Sequence, residues 1–362
     1  MDRMVIRIPS TWLTEYSRLL WRRMGSSFIA LSKRREQLLT KCSMRGLLIS
    51  IISTLALLFM TEGASGAVVV VPGADDWLFY AQEFDNLCQS KITMPEIVER
   101  LQRFADVVKN SGRKIAIAVG PNKSAIYPEK LGPAQPRFAC ADHIRQQLRS
   151  LLGAQHSFPF LDVYSALLQA KSSGALLWYP NDVHWQPGAA MIMAEMLIKD
   201  IDPALWNPAD VRSLPPQAHV GDLGRLVGDT APRLYPSVTL TRLGIEVRQL
   251  NDPPTGIDAR AWRHYETTRG PNAARVDGRL FVLHDSLALP ALPWLAQFFQ
   301  ESRFVARYGD VAELSPDMMA GFIAPADVVM LEIAEQALPT FADHFSDSFL
   351  ETMAQTLGHS HQ

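Results

Sequence analysis

Three side chains in two short segments have the types and the spacing of a hydrolytic triad. The segment "WYPNDVHWQPGAA", residues 178–190, carries Asp182 and His184 two residues apart in a loop that leads into a helical pattern. Alternate residues of an extended loop point to one side, so Asp182 can accept a hydrogen bond from one ring nitrogen of His184. The other ring nitrogen is then left to take a proton from a nucleophile. The pair predicts a general base that acts on a residue elsewhere in the chain.

Ser286 lies where an apolar strand pattern gives way to a helical one. The strand pattern Leu280 to Leu283 ends at His284, Asp285 and Ser286, and "PWLAQFFQE" follows with helical spacing. Open α/β folds bind ligands at such a switch, and the next helix N-terminus presents backbone N–H groups to an oxyanion. His284 and Asp285 compete for triad roles, but neighbours on a tight turn point away from Ser286. Ser286 is therefore the predicted nucleophile, with His184 as its base.

Other interpretations of these residues remain open. Asp182 with His184 is also a ligand pair that zinc accepts, but no third ligand follows at a suitable spacing, so no metal site is predicted. A lone Asp-x-His before Pro-Gly also fits a helix-entry loop, and "HDS" is a common turn composition. The triad interpretation depends on both motifs lying at strand-to-helix switches of one sheet.

The elements that must position these residues alternate between short apolar strands and helical patterns. A helix is predicted at Met94 to Gly112 and a buried strand at Ile115 to Val119. Continuous apolar strands between helices are typical of an α/β fold with a mostly parallel sheet flanked by helices. Residues 203–272 are rich in proline and are predicted to form an insertion or lid. The domain is expected over residues 68–345, followed by a C-terminal tail at 346–362 whose last segment, "TLGHSHQ", is expected to be frayed.

Composition and charge limit the classes of function. The 362 residues are 48% hydrophobic and 20% charged, which fits a globular chain with a sizeable core. The formal net charge is −2, and no long basic stretch lies outside the N-terminus. The electrostatic footprint of nucleic-acid binding is therefore missing, and no nucleic-acid partner is predicted.

Residues 1–67 carry a targeting pattern. Lys41 and Arg45 precede an apolar run of fifteen residues, Gly46 to Met60, which is short for a bilayer crossing and typical of a secretory signal. Ala67 closes a stretch of small residues of the kind that a signal peptidase reads. Export to the periplasm is predicted, and an uncleaved signal anchor in the inner membrane is the alternative.

Two of the three cysteines belong to the predicted mature chain. Cys42 precedes the expected cleavage point, which leaves Cys88 and Cys140. An oxidising compartment favours a disulfide between them, and two buried free thiols are the alternative.

Five segments together resemble the SGNH-hydrolase-like domain of the alginate O-acetylation proteins, the periplasmic AlgX/AlgJ type. In chain order they are "GADDWLFYAQEFD", "VGPNKSAIYPEKL", "NDVHWQPGAA", "GDLGRLVG" and "LHDSLALPALPWLAQFF". The resemblance extends over residues 68–340. It implies an SGNH-hydrolase-like fold with a circularly permuted triad order, in which the Asp/His pair precedes the serine.

The resemblance also implies an activity. Proteins of this type transfer acetyl groups onto hydroxyls of an exported polysaccharide through an acetyl-serine intermediate. Carried over by motif position, Ser286 is the nucleophile, His184 the base and Asp182 its orienting partner. The polysaccharide is the acceptor, and no cofactor is implied. Because acetyl-coenzyme A is absent outside the cytoplasm, a membrane-embedded carrier of acyl groups is the implied partner.

Three further residues are candidates for substrate binding. By their place in the family's Pro-x-Lys segment, Lys123 and Tyr127 are expected to line the acetyl or sugar site. A loop cation and a packed ring are the alternative for these two. Trp185, and with less support Trp178, offers an aromatic face on which a sugar can stack, with a place in the core as the alternative.

The chain departs from the family pattern at three positions outside the triad. Asp76 stands where the family has Gly, Leu287 where Phe follows the serine, and Gln336 where Arg is expected. Two other functions fit the same residues. One is a secreted carbohydrate esterase with water as the acceptor, and the other is a non-catalytic scaffold that binds polysaccharide and keeps a vestigial triad.

Overall fold

The computed structural model describes residues 70–132, 136–154, 159–306 and 314–359. The predicted leader and signal, residues 1–67, lie outside the described residues, as does the predicted cleavage point. No helix in these four ranges combines the length and the apolar character that crossing a bilayer requires.

Eleven strands lie within the described ranges. They are β1 (Val70–Pro72), β2 (Leu78–Tyr80), β3 (Lys114–Gly120), β4 (Phe160–Leu161), β5 (Val211–His219), β6 (Arg233–Leu240), β7 (Ile245–Leu250), β8 (Trp262–Arg269), β9 (Val276–His284), β10 (Phe299–Ala306) and β11 (Val328–Ala334).

Helices of the described residues connect and cover these strands. The α-helices are α1 (Gln82–Cys88), α2 (Met94–Asn110), α3 (Lys123–Ile126), α4 (Pro136–Gly153), α5 (Val163–Ser172), α6 (Pro187–Ile201), α7 (Asp222–Leu226), α8 (Leu292–Leu295), α9 (Pro316–Ile323), α10 (Leu338–His344) and α11 (Asp347–His359). Short 3₁₀ turns lie at Pro128–Lys130, Pro203–Leu205, Pro208–Asp210, Ser286–Ala291, Ala296–Phe298 and Glu335–Ala337.

The central feature is a seven-stranded sheet with the order β4-β3-β11-β9-β10-β8-β7. The first five strands in this order are parallel, and β8 and β7 extend the sheet as antiparallel strands. This confirms the predicted α/β fold with a mostly parallel sheet. Strand β9, which leads to Ser286, occupies the middle of the sheet, so its carboxyl end is held by neighbours on both sides.

The sheet is buried on both faces, which explains why its strands read as continuous apolar runs. Met330 of β11 and Val282 of β9 pack into one core cluster, while Leu331 and Phe281 pack into the cluster on the opposite face. All four side chains are at most 1% exposed. Successive strand residues point to opposite faces, so a strand covered on both sides needs apolar residues at every position.

The predicted helix after residue 94 forms with recognisable ends. Thr93 and Glu96 make a reciprocal capping box at its start. Gly112 follows its end with a φ of +80°, in the left-handed region that glycine adopts without a steric cost. These local signals explain why the helix bounds were readable from the sequence.

The turn at Asp76 explains why the family pattern has a glycine at this position. Asp75 and Asp76 form the turn between β1 and β2, with φ angles of +53° and +61°. A glycine avoids the Cβ clash of this left-handed region, and aspartate tolerates it better than most residues. The departure at Asp76 is therefore compatible with the same turn.

Residues 203–272 contain four strands, although the sequence indicated a loop-rich insertion. Strands β5 and β6 form a separate two-stranded antiparallel ribbon, and β7 and β8 belong to the main sheet. Strand β5 is exposed at most positions and its register shifts between Leu214 and Gln217, across two prolines. It therefore lacks the apolar alternation that would reveal a strand in the sequence.

The prediction of a C-terminal tail outside the domain at residues 346–362 is wrong for Asp347–His359. Helix α11 occupies Asp347–His359 and packs against α2 and α9. Leu350, Met353 and Leu357 recur at helical spacing and are at most 1% exposed. This apolar stripe closes one face of the core, so the domain continues beyond residue 345; residues 360–362 lie outside the described chain.

The predicted pair of cysteines forms a disulfide. Cys88 at the end of α1 and Cys140 in α4 are bonded, with their Cα atoms 6.0 Å apart. The bridge ties together two helices that also pack against each other. The alternative of two free thiols is excluded for this structure.

Candidate active site

Strand β9 delivers Ser286 to the carboxyl edge of the sheet. His284 ends the strand, Asp285 is extended, and Ser286 begins a 3₁₀ turn where the sequence indicated a regular helix. Pro290 lies inside this turn, and it removes a backbone donor that an α-helix would need. Ser286 is partly buried at this edge and does not belong to the fully buried core.

The loop that carries Asp182 and His184 is closed at its base by a tryptophan pair. Trp178 and Trp185 form an isolated antiparallel bridge, and their rings meet edge to face with centroids 5.7 Å apart. The Gln186 N–H donates to the Leu177 carbonyl at 2.7 Å, just before α6 begins. The loop therefore leaves and re-enters the domain at one fixed point.

The structure brings the three predicted triad residues together. His184 Nε2 lies 3.0 Å from Ser286 Oγ, and His184 Nδ1 lies 2.8 Å from Asp182 Oδ1. The Asp182 side chain is 1% exposed, whereas that of His184 is 22% exposed. The carboxylate is thus fixed inside the protein, while the imidazole and the hydroxyl face the surface. This is the geometry in which an imidazole can accept a serine proton.

Two residues that sequence reasoning missed complete the surroundings of Asp182. His219 Nε2 lies 2.7 Å from Asp182 Oδ2, and the Asp222 N–H donates to the same oxygen at 3.1 Å. The Asp222 carboxylate also lies 3.4 Å from His184 Nδ1. Both come from the segment "HVGDLG", which begins with the last residue of β5 and which the sequence placed in the Pro-rich insertion. Only the family resemblance of "GDLGRLVG" pointed to this segment.

Charges and hydrogen bonds at the site shift two pKa values in opposite directions. Burial alone would lower the pKa of His184, but the Asp182 charge and its hydrogen bond outweigh burial and raise the pKa to about 9. Burial alone would raise the pKa of Asp182, but His184 and His219 hold it well below its usual range. Asp182 is therefore an anion that stabilises a positive charge on His184.

The expected contact of Lys123 and Tyr127 with substrate differs from their place in the structure. Lys123 is 1% exposed, and its ammonium donates to the backbone carbonyls of Tyr179, Pro180 and Asp182 at 3.4, 3.1 and 2.6 Å. Tyr127 is 4% exposed, and its hydroxyl accepts the N–H of Leu177 at 2.9 Å. Both side chains hold the Asp/His loop from beneath rather than face a ligand.

The tryptophans also lie in the core instead of on a sugar-binding face. Trp185 is 1% exposed and Trp178 is fully buried. The Trp185 indole donates to the Leu287 carbonyl at 2.5 Å. Because Trp185 follows the base and Leu287 follows the nucleophile, this hydrogen bond ties the two halves of the triad together.

A third residue that could bind a metal lies beside the Asp/His pair. The expectation that no third ligand is available was therefore wrong. Ligand atoms of Asp182, His184 and Asp222 all lie within 4.8 Å of one another. Asp222 is forty residues away in sequence, so spacing could not reveal it. A metal on His184 Nδ1 would have to break the hydrogen bond from that nitrogen to Asp182, which is the bond that orients the imidazole.

Two buried carboxyl groups support the turn that carries Ser286. Asp285 Oδ1 accepts the Leu287 N–H at 2.9 Å, and Oδ2 accepts the N–H of Ala334. The Asp285 N–H in turn donates to Oε2 of Glu332, a β11 residue that is 1% exposed, at 3.1 Å. Burial raises the pKa of both carboxyls, and the Asp285 charge raises that of Glu332 well above its usual range. Glu332 therefore holds the proton, because the neighbouring Asp285 charge disfavours a second anion and the Glu332 O–H can donate to the Asp285 carboxylate.

A cavity of about 400 Å³ lies elsewhere, against β8, β10 and α9. It is lined by Asp252, Pro254, Thr255, Trp262, His264, Arg303, Met318, Gly321 and Phe322. None of these residues belongs to the triad or contacts it among the interactions described above. The triad therefore lies at the open edge of the sheet and not in this cavity.

Comparison with known proteins finds a matching family model and a set of curated relatives. The model of the family described as the SGNH hydrolase-like domain of acetyltransferase AlgX matches residues 70–252, just over half of the chain. The probable alginate O-acetylase AlgJ of Azotobacter vinelandii is 28% identical over 167 residues, 45% of this chain and 42% of that protein. The protein of the same name from Pseudomonas aeruginosa is 32% identical over 142 residues, 39% of this chain and 34% of that protein. The chain thus spans well under half the length of the curated relatives that it matches.

A solved structure supports the fold. The O-acetyltransferase domain of Pseudomonas putida AlgJ matches with a TM-score of 0.50 and 19% identity, over 79% of this chain and 99% of that one. At this identity the likeness establishes the fold alone. It agrees with the predicted SGNH-hydrolase-like architecture.

Proposed function

Because the chain belongs to the family of SGNH hydrolase-like acetyltransferase domains, we propose that it transfers acetyl groups onto hydroxyls of an exported, alginate-like polysaccharide. One observation carries the proposal: the 3.0 Å contact between Ser286 Oγ and His184 Nε2, with Asp182 behind the imidazole. Ser286 is the nucleophile, His184 the general base and Asp182 its orienting partner. The names of the AlgJ relatives support alginate as the type of acceptor.

The proposed reaction consists of two acyl transfers through Ser286. In the first, His184 takes the proton of Ser286 as its oxygen attacks the donor carbonyl, and the departing group receives that proton as its bond to the acetyl breaks. In the second, a sugar hydroxyl gives its proton to His184 and attacks the acetyl-serine ester. The proton returns to Ser286 as the ester bond breaks, and the enzyme is restored.

The oxyanion of each tetrahedral intermediate needs a donor close to Ser286. The Leu287 N–H is already bound to the Asp285 carboxylate, so it cannot serve without breaking that bond. We assign the N–H of Ser286 itself to this role, because it lies at the start of the 3₁₀ turn.

The exposure of the triad suits a polymeric acceptor. The His184 side chain is 22% exposed and Ser286 is partly exposed, so both can be approached from solvent by a chain of sugars. Acetyl transfer to a sugar must still outcompete hydrolysis, which requires a positioned hydroxyl and limited access of water. Of the four strands in the insertion at 203–272, β5 and β6 form a ribbon separate from the main sheet, and we propose this ribbon as the cover.

The proposed setting is the periplasm, with the N-terminal segment as a signal peptide or as an inner-membrane anchor. The apolar run Gly46–Met60 supports this setting. A membrane-embedded acyl carrier is the proposed donor partner, since the acetyl group must cross the membrane to reach an exported enzyme.

Trapping the acyl-enzyme tests the nucleophile. Intact mass is measured after the protein is incubated with a chromogenic acetyl ester, for wild type and for Ser286→Ala. We expect the wild type alone to gain one acetyl group. If neither protein gains an adduct or turns over the ester, the scaffold function with a vestigial triad replaces the proposal.

Product analysis then separates a transferase from an esterase. The same ester is supplied with deacetylated alginate, and acetate release is compared with acetyl groups found on the polymer. A transferase places acetyl groups on the polymer in wild type and not in Ser286→Ala. Release of acetate alone, with an unmodified polymer, would identify the carbohydrate esterase instead.

A further inference from the structure

The carboxylate of Asp182 is held by two histidines, one on each oxygen. His184 Nδ1 lies 2.8 Å from Oδ1, and His219 Nε2 lies 2.7 Å from Oδ2. A serine triad requires only the first of these contacts. The second comes from the end of β5, thirty-seven residues further along the chain, and the catalytic cycle above does not use it.

His219 is fixed in place by its own neighbours. Its ring stacks on Tyr179 with centroids 3.8 Å apart and an interplanar angle of 17°, and Tyr235 of β6 lies across both rings. The His219 side chain is 13% exposed. A ring held on two sides keeps its nitrogen aimed at Asp182, so the contact is built into the ribbon rather than made by a mobile surface side chain.

We propose that His219 is a positioning residue that holds the second oxygen of Asp182 and thereby sets the proton affinity of His184. This inference rests on the proposed role of His184 as the base. An N–H donor on Oδ2 draws negative charge away from Oδ1. Without it, the full carboxylate charge acts on His184, which then keeps its proton to a higher pH and is a base in fewer molecules at neutral pH.

Other charged groups also face His184 and Asp182, and their contributions must stay constant in a test. His184 is also faced by Asp222 and Asp285. Asp182 receives the N–H of Asp222 and lies near the Lys123 ammonium. Arg225 pairs weakly with Asp222 at 3.9 Å. None of these groups is altered by a substitution at His219.

Two substitutions at this position separate the hydrogen bond from the packing. His219→Phe keeps a ring to stack on Tyr179 and removes the donor. His219→Gln removes the ring and keeps an N–H donor of similar reach. His264→Phe is the matched control, because His264 also lies between two carboxylates, Asp252 at 2.7 Å and Glu301 at 3.1 Å, on β8, two strands from β9 in the sheet.

Two readouts are taken on the full domain. The pKa of His184 is measured by NMR titration of labelled histidine rings, and kcat/KM for the chromogenic acetyl ester is measured from pH 6 to pH 10. For His219→Phe we expect the His184 pKa to rise by about one unit and kcat/KM at neutral pH to fall about tenfold, with the difference from the wild type narrowing toward pH 10. His219→Gln is expected to stay close to the wild type in both readouts.

An unchanged His184 pKa in His219→Phe overturns the inference, and so does a shift in His219→Gln as large as that in His219→Phe. The NMR titration does not need turnover. A wild type without ester activity would therefore count against the proposed function alone, while the titration would still decide the role of His219.

Discussion

Lys123 is the residue whose role changes most between sequence and structure, and the change is testable. Its ammonium satisfies three backbone carbonyls beneath the Asp/His loop. Lys123→Met keeps the length and removes every donor, so we expect the free energy of unfolding to fall by about 3 kcal/mol, because buried carbonyls lose their partner. We also expect kcat for the acetyl ester to fall while KM stays unchanged, since the loop positions His184 but does not bind substrate.

The measurement combines urea unfolding with steady-state kinetics. Lys199→Met is the control, because Lys199 makes a surface ion pair with Glu195 and is 49% exposed. Its loss is expected to change stability by less than about 1 kcal/mol. A raised KM in Lys123→Met with unchanged stability would restore the substrate-binding role that the sequence indicated.

At the scale of single residues, the sequence identified those site residues whose positions follow from spacing or from the end of a strand. Asp182 and His184 were readable because the two side chains that must meet are two residues apart. Ser286 was readable because its position follows from the end of a strand. His219 and Asp222 were not, since they reach the site by the folding of a ribbon. Residue type alone did not separate a buried lysine from one that faces a ligand.

At the scale of elements, Glu332 of β11 holds a buried proton next to Asp285, the residue that follows β9, and this proton should affect stability. Glu332 of β11 keeps its proton because burial and the charge of Asp285 raise its pKa well above the ordinary 4.5. The unfolded chain releases this proton near pH 4.5 and the folded chain does not. The stability of the wild type should therefore fall as pH rises above that value, until the folded carboxyl also ionises.

Glu332→Gln replaces the protonated carboxyl with a neutral group of the same shape and removes this dependence. Relative to the wild type, we expect its stability to improve by about 1.4 kcal/mol per pH unit from about pH 5 upward, until the folded Glu332 of the wild type ionises. Denaturant unfolding at several pH values measures the difference.

Glu335→Gln is the contrasting variant, because it breaks the buried ion pair with Arg145 at 2.8 Å and should lower the free energy of unfolding by about 3 kcal/mol. Parallel stability curves for Glu332→Gln and wild type would show that Glu332 is ionised in the fold.

Elements were predictable where burial is symmetric or where caps are local. Strand β3 and helix α2 have such signals, and their observed bounds lie within about two residues of the expected ones. Strand β5 has none, because it is exposed and interrupted by Pro215 and Pro216. The 3₁₀ turn at Ser286–Ala291 was not predicted either. The apolar residues after Ser286 have helical spacing, but Pro290 lies inside the turn and β10 already begins at Phe299. A pattern of residue types records burial, and it is weak where an element lies at the surface.

At the scale of the whole molecule, a buried network connects the disulfide to the catalytic loop. Arg145 of α4 donates to the Glu83 carbonyl, to Ser124 Oγ and to Glu335 at 3.1, 2.8 and 2.8 Å. Glu83 of α1 in turn accepts the Ser124 N–H at 2.9 Å, next to Lys123. The order of contacts therefore runs from α1 and α4 to α3, and from there through Lys123 to the Asp/His loop. Sequence indicated the pair of cysteines but not the network that they lie beside.

The disulfide should stabilise this network without taking part in the reaction. Cys88 and Cys140 close a loop with a sequence separation of 52, for which chain entropy in the unfolded state accounts for about 4 kcal/mol. We expect the double variant Cys88→Ser/Cys140→Ser to lose about 2–4 kcal/mol in urea unfolding and to keep the ester activity of the wild type at a temperature where both are folded. A reducing agent should lower the wild type to the level of the variant and leave the variant unchanged. If the wild type and the double variant are equally stable without reducing agent, the buried ion pair of Arg145 and Glu335 holds α1 and α4 together without the bridge.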